Sequence, residues 1–309
     1  MLSIVLPAYN EEENIERAYE RIRSVLWPER ISFELIYVND GSKDGTLEKI
    51  RGLSEKVADT RITGLSFSRN FGKESAIFAG LAHAAGEVCV VMDCDMQHPP
   101  ETLVEMYHLW EQGYEIIDGV KRYRGKESVL YKGFARLFYA LISRSTGIEM
   151  YRSSDFKMLD RKVVNEYIRL SERNIFFRAL SAWLGYKSVT VEFDVQERVS
   201  GSTKWSIPSL VKYAVGSITS FTTAPMQLIT VLGAAFFLFA LILGTQSLVK
   251  WWRGYALEGF TTVILLLLIT GSLIMMSLGI IGYYLARIYE EIKGRPRCII
   301  DEIISNVEE

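Results

Sequence analysis

The sequence predicts an α/β domain with a mostly parallel sheet, followed by two apolar helices that form a transmembrane hairpin. Strand-like and helix-like segments alternate over the first 120 or so residues, which is typical of βαβ units. Polar loops follow the first four strands, and those after the second and third contain glycine. Two long runs near the C-terminus carry no charged side chain. We therefore assign residues 1–205 to the α/β domain and the remainder to a membrane region with a short tail.

The predicted strands are short apolar runs that are rich in β-branched residues: Ser3–Leu6, Phe33–Val38, Thr63–Ser66 and Glu87–Met92. Helical patterns follow them at about Glu12–Leu26, Thr46–Leu53, Lys73–Ala85 and Pro100–Glu111. In a parallel sheet of this kind, ligands bind beyond the carboxyl ends of the strands. We therefore expect the loops directly after the four strands to form one site.

The loop after the fourth strand carries a pattern that suits a hard cation. Asp93 and Asp95 flank one residue, and Gln97 follows closely. Carboxylate and amide oxygens suit Mg²⁺ or Mn²⁺, which in turn bridges a diphosphate. A solvated turn is the alternative explanation for the two aspartates taken alone. We expect the neighbouring His98 to be structural.

Two other loops carry side chains that have two interpretations each. Asp40 precedes Gly41-Ser42, a turn signal, and either caps a turn or accepts a hydrogen bond from a ligand N–H such as N3 of uracil. Lys73 opens a helix after Gly72 and is either a surface lysine or a cation that meets phosphate beside the helix N-terminus. The sequence pattern by itself leaves both alternatives open.

The C-terminal third contains the two uncharged runs. Leu228–Val249 has no charged side chain over 22 residues, and Phe260–Leu285 has none over 26. Each is long enough to cross a bilayer as a helix. Aromatic residues typical of a membrane interface lie at their ends: Trp251, Trp252, Tyr255, Tyr283 and Tyr284. The alternative, two buried helices of a soluble core, does not explain this aromatic cluster.

Basic residues predict the orientation of this hairpin. They precede the first run and follow the second (Lys204, Lys212, Arg287, Lys293, Arg295 and Arg297), whereas the connector offers only Lys250 and Arg253. The positive-inside rule then places the α/β domain, both termini and the tail at 286–309 in the cytoplasm. Two amphipathic stretches, at 128–144 and 206–221, are predicted to lie at the membrane surface, although the first also suits a core-facing helix.

The composition excludes several classes of protein. The 309 residues include 35 basic and 37 acidic side chains, and the formal net charge of −2 excludes a strongly basic nucleic-acid binder of the usual kind. The three cysteines, Cys89, Cys94 and Cys298, are too few and too scattered for a disulfide framework or a zinc site. We expect them to be reduced thiols.

The four loop motifs together resemble glycosyltransferase family 2. The motifs are Val5-Leu6-Pro7-Ala8-Tyr9-Asn10-Glu11-Glu12, Val38-Asn39-Asp40-Gly41-Ser42, Ser68-Arg69-Asn70-Phe71-Gly72-Lys73 and Asp93-Cys94-Asp95-Met96-Gln97-His98-Pro99-Pro100. Two later segments, at 154–161 and 198–205, match the polyprenyl-phosphate glycosyltransferases more narrowly, such as bactoprenol glucosyltransferases and dolichyl-phosphate mannose synthases. The two-span hairpin is typical of the bactoprenol branch, and the resemblance covers nearly the whole chain.

The resemblance implies a GT-A fold and roles for individual residues. The donor nucleoside and nucleotide-sugar would be held by Pro7, Tyr9, Glu11, Asp40, Lys73 and Asp93, and a mobile loop carrying Arg198 and Lys204 would close over the donor. Asp95 and Gln97 would ligate the metal. Asp155 would be the catalytic aspartate, acting together with Asp93 and Asp95. Arg122, Arg124, Lys132 and Arg136 would grip the acceptor phosphate. The chain departs from many relatives in having Ser154, where they have glycine.

The implied activity is inverting, metal-dependent transfer of a sugar to polyprenyl phosphate at the cytoplasmic face of the plasma or inner membrane. Glucose from UDP-glucose is the first choice of donor and undecaprenyl phosphate the first choice of acceptor. Mannose, GlcNAc and formamido-arabinose are alternative donor sugars. A catalytically silent membrane sensor or scaffold that binds nucleotide-sugars is the alternative from another class. The family also implies a homo-oligomer, a tetramer.

Overall fold

The computed structural model describes residues 1–122, 154–170, 172, 176–194, 224–254 and 259–307. It divides the chain into two compact units, of which the first comprises Met1–Ile207 with Arg295–Glu309 and the second Pro208–Gly294. The amphipathic helices predicted at 128–144 and 206–221 lie outside the described residues, so they stay predictions.

The described strands of the first unit form one mixed sheet in the order β7-β5-β6-β4-β1-β2-β3-β8. The strands are β1 (Leu2–Ala8), β2 (Phe33–Asn39), β3 (Arg61–Phe67), β4 (Val88–Val91), β5 (Ile116–Lys121), β6 (Lys157–Asp160), β7 (Ser188–Phe193) and β8 (Ile300–Ser305). Strands β1 to β4 pair in parallel, and so do β5 and β7. Antiparallel pairs join β4 to β6, β5 to β6 and β3 to β8. The predicted α/β class is confirmed.

The helices of this unit connect or flank the strands. They are α1 (Ile15–Leu26), α2 (Thr46–Lys56), α3 (Lys73–His83), α4 (Glu101–Glu111), α5 (Arg161–Arg169) and α6 (Phe177–Trp183). The four predicted strands and four predicted helices are all present, with ends within three residues of the predicted ones. This agreement follows from the strong periodicity of these segments, because α1 buries Ile15, Ala18, Ile22 and Leu26 at helical spacing.

The core lies on both sides of the central strands. All seven residues of β2 are buried, as expected for a parallel strand covered by helices on both faces. Helix α3 packs closely on the sheet at Gly80, where an added Cβ would lie 2.3 Å from Cγ1 of Val5. Glycine at this position brings the N-terminus of α3 to the carboxyl ends of β1 and β2.

Strand β8 belongs to the first unit although it follows both apolar helices in the chain. It pairs antiparallel with β3, with Leu65 opposite Ile303. The sequence predicts a single tail at 286–309, and two elements of the structure extend into this range. The second apolar helix continues to Ile292, and residues 300–305 complete the sheet edge. Half-buried and exposed positions alternate along this strand, with Ile300, Glu302 and Ile304 on the half-buried side, which is the period of two of a strand with one face toward the protein.

The second unit contains two contacting helices, α7 (Ala224–Trp252) and α8 (Phe260–Ile292). Within them, Ile229–Lys250 and Leu266–Ile292 are long and apolar enough to cross a membrane, and neither stretch is buried within the described structure. These helices match the two predicted runs in type and place and are compatible with a hairpin.

Candidate active site

A cleft of about 380 Å³ opens at the carboxyl ends of β1 to β4. It is lined by Pro7, Ala8, Tyr9, Glu11, Asp40, Asn70, Gly72, Lys73, Ala76, Asp93, Cys94 and Asp95. All four loops that the sequence places at one edge of the sheet contribute to this lining. The expectation that they form one site is therefore confirmed.

The loops after β1 and β2 are joined by hydrogen bonds between backbone and side chains. The backbone N–H of Asn10 donates to Oγ of Ser42 at 3.0 Å, and the N–H of Lys43 donates to Oδ1 of Asn10 at 2.9 Å. The N–H of Glu11 donates to Oγ1 of Thr46 at 2.9 Å. Because these bonds cross between loops, Tyr9 and Glu11 are held beside the end of β2.

Asp40 joins the loops after β2 and β3. It is 4% exposed, and its carboxylate accepts hydrogen bonds from the backbone N–H groups of Phe71, at 2.6 Å, and Gly72, at 2.9 Å. Burial raises the pKa of Asp40, and these two hydrogen bonds oppose the shift. Asp40 therefore holds the loop before α3 in place. This role corresponds to the capping interpretation, except that the capped N–H groups belong to a different loop. Its contact with a ligand N–H stays a prediction.

Lys73 stands at the first position of α3 and connects two carboxylates. Its Nζ lies 2.6 Å from Oδ1 of Asp93 and 2.9 Å from Oδ2 of Asp155. Arg178 holds Asp155 from a second direction, with Nε 2.6 Å from Oδ1 and Nη2 3.0 Å from Oδ2. The four side chains form a continuous chain of charge-assisted contacts, in which Asp155 is shared by two cations.

These contacts determine the charge states of the cluster. Burial raises the pKa of Asp155, but Lys73 and Arg178 outweigh it and hold the pKa well below its usual range. The pKa of Asp93 is also lowered, because Lys73 outweighs burial. The same carboxylates raise the pKa of Lys73 against the opposing effect of burial. At neutral pH the cluster therefore holds two carboxylates and two cations.

His98 supports the loop that carries Asp93. Its ring stacks on Phe156 with a centroid distance of 4.8 Å, and its Nδ1 accepts the backbone N–H of Asp93 at 3.3 Å. Burial lowers the pKa of His98 to about 4, so the ring is neutral at physiological pH. The expected structural role of His98 is confirmed.

Similarity to known proteins assigns the family. The model of glycosyl transferase family 2 matches residues 3–168. The chain belongs to glycosyl transferase family 2. A prophage bactoprenol glucosyl transferase homolog of Escherichia coli K12 is 33% identical over 304 residues, covering 98% of this chain and 99% of that protein. An uncharacterized glycosyltransferase of Synechocystis is 38% identical over 304 residues, covering 98% and 95%. The resemblance to bactoprenol glucosyltransferases is thereby confirmed.

A solved structure shows the same fold. The crystal structure of a mycobacterial protein superimposes with a TM-score of 0.50 at 18% identity, covering 72% of this chain and 76% of that one. Together with the family match, it confirms the GT-A-like class of the sheet.

The end of β4 carries oxygen atoms of the kind that bind a divalent cation. Asp95 offers a carboxylate and Gln97 an amide oxygen, and the backbone N–H of Gln97 donates to Oδ1 of Asp95 at 3.1 Å. Among the described residues no group of three or more histidine, cysteine, aspartate or glutamate side chains is arranged to hold a metal by itself. One or two carboxylates fit Mg²⁺ or Mn²⁺ that is bound jointly with substrate phosphates and water.

Glu11 adds to the negative charge of this edge. Burial and the nearby Asp95 and Asp93 raise the pKa of Glu11, and a hydrogen bond from Asn14 opposes the shift. Three carboxylates that face one cleft favour a cationic partner there. The roles of Asp95 and Gln97 as metal ligands stay predictions.

The residues predicted to grip the acceptor phosphate are only partly described. Arg122 lies at the end of β5, where its guanidinium is 3.5 Å from Oε2 of Glu192 and 3.2 Å from Oδ2 of Asp194. Arg124, Lys132, Arg136, Arg198 and Lys204 lie outside the described residues. Their roles, and that of Arg122, stay predictions.

Ser154 shows how this chain accommodates its departure from the family pattern. The hydroxyl donates to the carbonyl of Gly119 at 2.5 Å and accepts the N–H of Phe156 at 3.2 Å. A side chain next to Asp155 therefore ties the start of β6 to β5. The geometry explains why serine is tolerated there.

Sequence reasoning missed two charged residues of this region, Arg178 of the cluster and Glu74 beside it. Glu74 follows Lys73 on α3 and accepts the backbone N–H of Phe177 at 2.9 Å, at the start of α6. Burial raises the pKa of Glu74 to about 7. The one available signal for Arg178 was an isolated charge in the apolar stretch at 175–180, and Glu74 carried none because its partner is distant in sequence.

Proposed function

We propose that this protein transfers a sugar, glucose from UDP-glucose by preference, to undecaprenyl or another polyprenyl phosphate with inversion at the anomeric carbon. The observation that carries the proposal is Lys73, which stands at the N-terminus of α3 beside Asp93 in the cleft. A cation and a helix N-terminus together suit a diphosphate. The relatives named bactoprenol glucosyl transferase support the acceptor, because they resemble this chain over 97–98% of its length.

The chemistry is a direct displacement. A phosphate oxygen of the acceptor forms a bond to the anomeric carbon from the face opposite the leaving group, while the bond from that carbon to the diphosphate oxygen breaks. The electron pair leaves with the nucleoside diphosphate. Lys73 neutralises charge that develops on this leaving group. A bound Mg²⁺ or Mn²⁺, held by Asp95 and Gln97, would supply further charge neutralisation.

Asp155 acts in this reaction by position and charge. A phosphomonoester has a second pKa of about 6, so the acceptor is already largely dianionic at pH 7 and has little need of a base. The carboxylate of Asp155, held by Lys73 and Arg178, is a weak base because its pKa is lowered. Its contact with Lys73, at 2.9 Å, instead orients the ammonium toward the cleft.

The topology supports a membrane hairpin with the catalytic domain and both termini on the cytoplasmic side. Strand β8 follows α7 and α8 in the chain but pairs with β3. If the two helices cross the membrane, two crossings return the chain to the side from which it left. Basic residues flank this hairpin on the domain side, in agreement with the positive-inside rule. A membrane-held acceptor and a water-soluble donor would then meet at the interface.

The test is a transfer assay with purified protein, undecaprenyl phosphate and a panel of nucleotide-sugars, with Mg²⁺ or Mn²⁺ present. We expect a lipid-linked sugar that forms from UDP-glucose and disappears with EDTA. Asp95→Ala should abolish metal-dependent turnover but keep the melting temperature that is measured without nucleotide. Asp59→Ala, on the surface, serves as its control. Binding of nucleotide-sugars without transfer from any of them would contradict the proposal and favour a sensor. Transfer that persists in EDTA would contradict the metal assignment.

A further inference from the structure

The segment that follows the second apolar helix contacts α3, which carries Lys73 of the charged cluster, and the end of α5. Arg297 lies in this segment, three residues before β8, and belongs to the first unit. Its guanidinium carbon is 4.0 Å from the ring centroid of Phe78 on α3. Its Nη2 donates to the carbonyl of Leu170, the residue after α5, and to the carbonyl of Glu172 at 2.6 Å. One side chain therefore joins α3 to the end of α5.

The contacts continue from these two helices to α6. Tyr167 of α5 packs against Phe78 at a centroid distance of 6.3 Å and against Phe177 of α6 at 5.5 Å. The backbone N–H of Phe177 is bound by Glu74 of α3 at 2.9 Å. Helix α3 begins with Lys73, and α6 carries Arg178 directly after Phe177. Through these contacts α6 is linked to the two elements that Arg297 touches, α3 and the end of α5. Helices α3 and α6 hold the two cations that contact Asp155.

The same segment also supports the loop before α3. The backbone N–H of Ser68 donates to the carbonyl of Ile299 at 3.1 Å, and Phe67 pairs with Ile300. This loop then presents the N–H groups of Phe71 and Gly72 to Asp40. The segment at 297–300 therefore braces α3 from two sides, through Phe78 on the helix and through Ser68 on the loop.

We propose that Arg297 is a positioning residue for sugar transfer, which holds α3 and α5 so that Lys73 and Arg178 converge on Asp155. This inference rests on the proposed function. A guanidinium combines a flat face for Phe78 with a fork of N–H donors for the two carbonyls. Lysine supplies the charge but not both contacts. Arg297→Lys is therefore expected to behave more like Arg297→Ala than like the parent, the protein without substitutions.

A matched control exists at β8, the strand that follows this segment, where an arginine of α2 makes the contact. Arg51 binds Glu302 of β8 with Nη2 2.9 Å from Oε1 and 3.1 Å from Oε2. This pair fastens β8 to α2, and among the described residues its hydrogen bonds and ion pairs do not reach α3, α5 or α6. Arg51→Ala therefore removes an arginine contact of the C-terminal segment without disturbing the path to Lys73.

The experiment compares Arg297→Ala, Arg297→Lys, Arg51→Ala and the parent by hydrogen exchange and by transfer kinetics. Both Arg297 variants should exchange amide hydrogens faster in residues 73–83 and 177–183 than the Arg51 variant does. Their kcat should fall by about 10- to 100-fold with the donor KM changed less than about threefold, because misplaced cations act on the transition state. The Arg51 variant should keep the parental kcat.

Two outcomes overturn the inference while the proposed function stands. The first is unchanged exchange in α3 and α6, and the second is faster exchange with a parental kcat, which would make the role of Arg297 merely structural. Absence of transfer by the parent protein itself contradicts the proposed function instead. The parent assay therefore distinguishes the two failures.

Discussion

The ammonium of Lys73 lies 2.9 Å from Oδ2 of Asp155, although the two residues are 82 positions apart in the chain. This contact connects the start of α3 with the segment that leads into β6. With Arg178 on its other side, Asp155 remains ionised and fixed in place. The arrangement is that of a positioned carboxylate rather than a proton acceptor poised near neutral pH.

The first prediction concerns Asp155→Asn. The amide keeps the shape of the side chain but removes the charge shared by Lys73 and Arg178, so we expect kcat/KM to fall by about 10²- to 10³-fold. The loss should be the same at pH 6, 7.5 and 9, measured as initial rates of lipid-linked sugar formation. Asp59→Asn, an exposed carboxylate that pairs with Arg23, is the control. Recovery of Asp155→Asn activity at high pH would indicate a general base instead.

The second prediction concerns Arg178. Its two nitrogens contact both oxygens of Asp155, a bidentate geometry that lysine cannot reproduce. We expect Arg178→Lys to lower kcat by about tenfold and Arg178→Ala by about 100-fold, because Asp155 then pulls Lys73 out of position. Arg169→Ala, which removes a surface pair with Glu166, should have no effect. Equal kinetics for Arg178→Ala and Arg169→Ala would refute this role.

The third prediction uses the raised pKa of Glu74. Burial raises this pKa from 4.5 to about 7, so the folded protein keeps a proton that the unfolded chain releases between these values. Stability from this group is therefore present below pH 4.5 and is lost as the pH rises toward 7. Glu74→Gln has no such proton, and its oxygen can still accept the N–H of Phe177.

The measurement for Glu74 is the melting temperature of the parent and of Glu74→Gln from pH 5 to pH 8. We expect the free energy of unfolding of Glu74→Gln, relative to that of the parent protein, to increase by roughly 1–3 kcal/mol as the pH rises from 5 to 8. Protonation of His98, whose pKa is lowered, affects both proteins alike and cancels in the difference. A difference that stays constant with pH would show that Glu74 is ionised throughout.

The fourth prediction concerns Gly41, which follows Asp40 in the loop after β2. Its φ is +64°, and an added Cβ would lie 2.4 Å from the carbonyl carbon of Arg69. Gly41→Ala should therefore destabilise the domain by about 2 kcal/mol or more and weaken nucleotide binding, because the loops after β2 and β3 must separate. Calorimetry with UDP and thermal unfolding measure both effects.

The control for Gly41 is Gly52→Ala in α2. A Cβ there meets nothing within 4 Å, so alanine should stabilise the helix by about 0.4–1 kcal/mol. Similar losses of stability and of nucleotide binding for both substitutions would mean that the close approach of Gly41 to Arg69 does not matter for the site.

The sequence by itself determined the elements and the position of the site. The buried spacing of Ile15, Ala18 and Ile22 and the apolar run Phe33–Val38 are local patterns, and local periodicity specifies helices and strands. Because parallel strands end at one edge of the sheet, the sequence also predicts that Asp40, Lys73 and Asp93 lie close together. The two uncharged runs near the C-terminus are local patterns of the same kind.

Only the tertiary structure decided which side chains contact one another across that edge. Arg178 binds Asp155, Asp40 binds the loop at 71–72, and Arg297 joins α3 to α5. These partners are separated by more than 20 residues, and no periodicity encodes a contact between distant segments. Strand β8 is the clearest case, because its pairing with β3 needs a neighbour that stands some 240 residues earlier in the chain. Packing brings such partners together, and packing depends on all the elements at once.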